Sequence, residues 1–184
     1  MKLKAIFDYY TLFAVSSGDP STLRLLNLLL EANFQVVACY SQIVSVGYLR
    51  KSGDPEVAKL ADNLIKKIRT CYGIEIAPAR AANRAGTSSR LIFSSEAAAN
   101  AKPRSSGPLD EIAAEALLVL HSLSILEEAK DEEADVLVTY DERLRRASCN
   151  HPGLPFKHGS FRDPWCCGVE ELHSALLLRA TVQS

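Results

Sequence analysis

The chain has no uninterrupted apolar stretch of membrane-spanning length, no surplus of charge of either sign and no regular cysteine framework. The first absence argues against a transmembrane helix, which needs about 20 predominantly apolar residues to cross a bilayer. The second removes any bulk electrostatic field. With 21 basic and 22 acidic side chains, a nucleic-acid-binding face has to be local, and no acidic excess points to disorder. The five cysteines (Cys39, Cys71, Cys149, Cys166 and Cys167) are odd in number and irregular in spacing. That argues against a disulfide-stapled secreted domain and fits reduced thiols in an intracellular setting, cytoplasmic or nuclear. Residues Met1 to Phe7 read as a charged strand start and lack the apolar middle of a secretory leader. No internal repeat is visible.

What is present is a chain of 184 residues, 47% hydrophobic, long enough for one well-buried core and short for two. The expectation is a single domain over 1–184, with a basic loop at about 79–108 and a C-terminal extension at about 150–184. Lys4 to Phe7 reads as a first strand, and Ser16 to Pro20 as a polar turn. An amphipathic helix follows over about Ser21 to Ala32, with Asp19, Ser21 or Thr22 as cap and Pro20 in the first turn. Phe34 to Tyr40 is β-branched and apolar, the pattern of a parallel strand buried on both faces. Strand, helix and strand in succession imply a right-handed crossover and an α/β fold.

After a turn at Ser52 to Pro55, Glu56 to Thr70 carries apolar residues at helical spacing, and Ile74 to Pro78 reads as a short third strand. Between Ala79 and Gly107 the composition changes to Ala, Ser, Asn, Gly and Arg. Arg80, Arg84, Arg90, Lys102 and Arg104 stand there against one acid, Glu96. Loops this long inside a domain are usually functional or disordered, so a solvated insertion and an RNA-contacting arm both stay open. Leu109 to Lys130 is the longest helix expected, opening on Asp110 and Glu111 and closing in the acidic run EEAKDEEAD. Val136 to Thr139 is a fourth strand, Glu142 to Ala147 begins a helix, and a Pro, Gly and His-rich segment precedes a last helix at Val169 to Thr181.

Acidic side chains recur at the edges of these elements: Asp8 after the first strand, Asp110 and Glu111 at the start of the long helix, and Asp141 after the fourth strand. Parallel strands with helical crossovers bring such positions to one edge. Carboxylates about 4 Å apart repel by on the order of 4 kcal/mol per pair at an effective dielectric near 20, so a cluster needs protons or cations. Hard oxygen donors select Mg²⁺ or Mn²⁺, which would equip the edge for phosphodiester hydrolysis. Each acid also has a plainer role: Asp8 as a loop cap, Asp110 and Glu111 as a first-turn pair, Asp141 as the cap of the next helix. Cys149, His151, His158, Cys166 and Cys167 offer mixed donors for zinc, but no Cys-x₂-Cys spacing occurs, so unlinked residues are the preferred reading. His121 lies among leucines and reads as a helix-face residue. Trp165, beside Phe161, Arg162 and Asp163, reads as a loop anchor or a base-stacking group.

The order IFD, amphipathic helix, FQVVACY, IEIAPAR, basic loop, LDEIAAEAL and VLVTYDERL resembles the PIN-like nucleases, in particular their NYN branch and the Regnase-type endoribonuclease domain, over most of residues 3–147. The resemblance implies a three-layer α/β/α sandwich around a mostly parallel sheet of four to five strands. It also implies a Mg²⁺ or Mn²⁺ site and cleavage of single-stranded or structured RNA. By position, Asp8, Asp110, Glu111 and Asp141 match the family's catalytic acids, with Asp8, Asp110 and Asp141 as metal ligands. Arg80, Arg84, Arg90 and Arg143 become the RNA-binding candidates.

The chain departs from that pattern at Tyr9, Tyr10 and Thr11, where the family has small or polar residues and an Asn, and at Tyr140, where an Asn often precedes the last aspartate. In an alternative alignment that seeks an acid after strand two, Gly47 or Tyr48 stands in its place. These departures keep a second reading in view: a catalytically weak or inactive module that binds RNA or a protein. Expected partners are RNA and, secondarily, a protein or a second copy of the chain; a membrane is not expected. A haloacid-dehalogenase-like phosphatase would need an Asp where Tyr10 stands, and a receiver domain would need a late strand-end Lys that has no clear candidate.

Overall fold

A computed structural model describes residues 2–51, 53–77, 125, 128–142, 144–145 and 165–182. Its centre is a five-stranded sheet in the order β3-β2-β1-β4-β5, with every pairing parallel. The strands are β1 (Lys4–Phe7), β2 (Gln35–Ala38), β3 (Glu75–Ile76), β4 (Val136–Val138) and β5 (Trp165–Cys167). The helices bounded within the described residues are α1 (Tyr9–Ser17), α2 (Pro20–Glu31), α3 (Tyr40–Leu49), α4 (Pro55–Lys67) and α5 (Val169–Val182). Among the described residues no helix is long and apolar enough to cross a membrane.

The strands are apolar at every inward position because both faces of the sheet are covered, as parallel sheets require. Ala5, Phe7, Val36, Ala38, Val136, Val138 and Cys167 face one core, filled from the helices by residues such as Leu12, Leu25, Leu29, Leu64 and Leu172. The alternate residues Ile6, Val37, Leu137 and Cys166 face a second core with Ile125, Ala129 and Leu144. From β1 to β3 the strands are laid down in one direction, and from β4 to β5 in the other. Right-handed crossovers put connections on opposite faces when the direction reverses, in keeping with α1, α2 and α4 on one core and Ile125, Ala129 and Leu144 on the other.

Local chemistry fixes the helix starts. Asp8, Asp19 and Asp54 are the N-caps of α1, α2 and α4, each accepting a backbone N–H of the first turn. α2 and α4 open on Pro20 and Pro55, whose fixed φ suits a first helical position. Leu25, Leu26 and Leu29 bury the inner face of α2, each worth about 1.5–3 kcal/mol relative to exposure. α1 ends at Gly18, which takes the left-handed conformation at φ 82° that a Cβ would penalise.

α1, α3 and β5 were not anticipated from the sequence. Both helices are rich in aromatic and β-branched residues, and packing against the sheet overrides that weak helical preference. The rest of the long helix expected over Leu109 to Lys130 lies largely outside the described residues. Its end is described: Ile125 is helical, residues 128–131 are helical, and Glu128 in the acidic run is buried.

Candidate functional site

Asp8 ends β1 and Asp141 follows β4, and these strands are neighbours in the sheet, with Phe7 opposite Val138. The strand order reverses between them, and that is the place where open α/β sheets form a ligand crevice beyond their carboxyl ends. The fold therefore brings together two acids that are 133 positions apart in sequence.

Asp8 is almost fully buried. Its Oδ1 accepts the Thr11 amide at 2.8 Å and the Thr11 hydroxyl at 2.5 Å, and its Oδ2 accepts the Thr139 hydroxyl at 2.6 Å. Burial pushes the Asp8 carboxyl up to about 6; the threonine hydrogen bonds pull it down and the charge of Asp141 pushes it further up. That influence places Asp141 within electrostatic reach of Asp8. Thr139 joins the two, because its Oγ1 also accepts the Asp141 backbone amide at 2.9 Å. Asp141 is half-buried, and its carbonyl accepts the Arg145 amide at 3.1 Å, as the cap of a helical turn does. The plainer roles are thus realised: Asp8 caps α1, and Asp141 heads the next turn.

A carboxylate has about four acceptor positions, and the described residues take three of those of Asp8, two on Oδ1 and one on Oδ2. Among the described residues no three His, Cys, Asp or Glu side chains gather as a metal-holding group. Asp110 and Glu111, the remaining expected acids, lie outside the described residues, as do Arg80, Arg84, Arg90 and Arg143. Cys149, His151 and His158 of the conjectured zinc set also lie outside; Cys166 and Cys167 are buried in β5, where burial pushes the Cys167 thiol above its usual range.

Three features of this edge escaped the sequence reading. The first is the pair of threonines, Thr11 and Thr139, which hold both oxygens of Asp8; their spacing from the aspartates (i+3 and i−2) was the available signal. The second is Tyr140, whose hydroxyl donates to Asp19 Oδ2 at 3.0 Å and lies 2.6 Å from Thr22 Oγ1, tying the end of β4 to the start of α2. The third is Arg145, whose Nη2 meets Glu171 at 2.6 Å and whose Nη1 meets Glu142 at 3.0 Å. Two carboxylates hold this cation beside Gly168, where an added Cβ would sit 3.4 Å from its Nη1.

On the second core, Glu128 is buried near Cys39. Burial lifts the Cys39 thiol well above its usual range, with the charges of Glu128 and Glu132 adding to the effect. Gln42 accepts the Cys39 amide at 3.1 Å, the reciprocal half of a capping box at the start of α3. Comparison with models of known protein families gives no match, and comparison with curated proteins gives none either.

Proposed function

We propose that the chain is a metal-dependent endoribonuclease built on a PIN-like three-layer α/β/α sandwich, hydrolysing phosphodiester bonds of single-stranded or structured RNA. The observation that carries this reading is the pairing of Asp8 and Asp141 across the β1–β4 reversal, linked through Thr139. In this reading Asp8 and Asp141 hold Mg²⁺ or Mn²⁺, with Asp110 and Glu111 completing the acidic set and Arg80, Arg84, Arg90 and Arg143 contacting RNA. When bound, a hard divalent cation supplies charge that offsets the phosphate and makes water more acidic. Thr11 and Thr139 act through Asp8: they fix its carboxylate and favour its ionised form.

The test is incubation of purified protein with single-stranded and stem-loop RNA in Mn²⁺ or EDTA. Cleavage in Mn²⁺ that EDTA abolishes, and that is lost in Asp8→Asn and Asp141→Asn, is the expected result. Cleavage that persists in EDTA or in both variants overturns it.

A second reading is a weak or inactive module that binds RNA or a protein. It is favoured by the commitment of Asp8 to three hydrogen bonds and by the bulk of Tyr9, Tyr10 and Tyr140 beside the acids. Under it, wild type and Asp141→Asn bind RNA alike and neither cleaves.

A further inference from the structure

Three tyrosines stand beyond three adjacent strands on the edge that carries Asp8 and Asp141. Tyr40 is two residues past the end of β2, Tyr10 three past β1, and Tyr140 two past β4. All three are exposed, at 38%, 41% and 48%. Large side chains that leave this much surface in water cost solvation, and here they recur at one edge of the sheet. Two of the rings are also held in place. The Tyr140 hydroxyl is anchored by Asp19 and Thr22, and the Tyr10 ring meets Tyr9 edge-on at 5.7 Å and 89°. A ring fixed before binding has little rotamer freedom left to lose.

We propose that Tyr40, Tyr10 and Tyr140 form a stacking platform for the bases of a single-stranded nucleic acid. The choice of polymer rests on the ribonuclease reading above; the choice of contact rests on the edge itself. Among the described residues the acids Asp8, Asp19 and Asp141 stand beside these rings, so at the tyrosines themselves the π-faces of the bases, and not the phosphates, are the attractive element. Bases in a duplex are stacked on one another and paired, so they offer no free face to the rings, which selects against duplexes.

The test is fluorescence anisotropy in low-salt buffer with EDTA, using a labelled oligouridylate dodecamer, an abasic strand of the same length and a duplex of the same length. The oligouridylate binds at least about tenfold more tightly than the other two. Tyr10→Ala and Tyr140→Ala each weaken it by about tenfold, whereas Tyr10→Phe, which keeps the ring, binds within about threefold of wild type, and Tyr140→Phe, which keeps the ring but loses its anchor, falls between Tyr140→Ala and wild type. Equal binding of the abasic strand, alanine variants that match wild type, or no binding of the oligouridylate by wild type overturns the proposal. Because cleavage plays no part in the readout, the two readings fail separately. Base-dependent binding without metal-dependent cleavage removes the nuclease and keeps the platform. Metal-dependent cleavage with indifferent alanine variants does the reverse.

Discussion

Thr139 donates its hydroxyl proton to Asp8 Oδ2 at 2.6 Å while its oxygen receives the Asp141 amide at 2.9 Å. One buried side chain thereby sets the positions of both acids. Thr139→Val keeps the shape but leaves a buried carboxylate oxygen and an amide without this partner. The expected loss is about 1–3 kcal/mol of folding stability, measured by urea denaturation, with Thr139→Ser losing less.

The raised carboxyl of Asp8 gives stability a defined pH dependence in metal-free buffer. Between its unfolded value of 3.8 and its folded value of about 6, the folded chain holds a proton that the unfolded chain has released. Stability attributable to Asp8 is therefore full below about pH 4 and declines as pH rises through 6, by about 3 kcal/mol in total. Denaturation curves of wild type and Asp8→Asn collected from pH 4 to 8 check this, since the gap between the proteins must move in that direction.

Under the metal-site reading proposed above, a cation held by Asp8 and Asp141 offsets this penalty at neutral pH. At about 100 times its dissociation constant Mn²⁺ would add ~2.7 kcal/mol, a rise in melting temperature of roughly 5–10 °C for a chain of this size. Differential scanning fluorimetry with and without Mn²⁺ measures it. Asp8→Asn and Asp141→Asn each remove most of the rise.

Asp19 serves α2 and Tyr140 together, accepting the Thr22 amide at 2.8 Å, the Thr22 hydroxyl at 2.6 Å and the Tyr140 hydroxyl at 3.0 Å. These donors, the Thr22 hydroxyl first, hold its carboxyl below the usual range. Asp19→Ala costs about 0.5–2 kcal/mol as a lost cap. In a double-mutant cycle with Tyr140→Phe the effects are less than additive, because both changes remove the same bond.

The strands β1, β2 and β4 and the helices α2 and α4 were legible because burial on both faces writes continuous apolar runs, and proline with aspartate marks helix starts. α1 and α3 were illegible for the opposite reason: YYTLFAVSS and YSQIVSVGYL carry strand-like residues that only tertiary packing bends into helices. Asp8 and Asp141 could be matched to strand ends from the sequence, whereas their link through Thr139 depends on β1 lying beside β4, and strand order is not written in local pattern. Glu128 shows the same limit. In a run of seven charges within nine residues a solvated face is the natural reading, yet this acid is buried.

The central pairing of the sheet has a consequence for synthesis. β1 closes on β4 through bonds such as the Lys4 amide to Asp135 Oδ2 at 2.7 Å, a contact spanning 131 positions. Until the ribosome has delivered the second half, one flank of β1 remains an open template with which other nascent chains can pair. The edge bearing Asp8 and Asp141 is thus assembled late, and translation pauses or truncations ahead of β4 show up as aggregation.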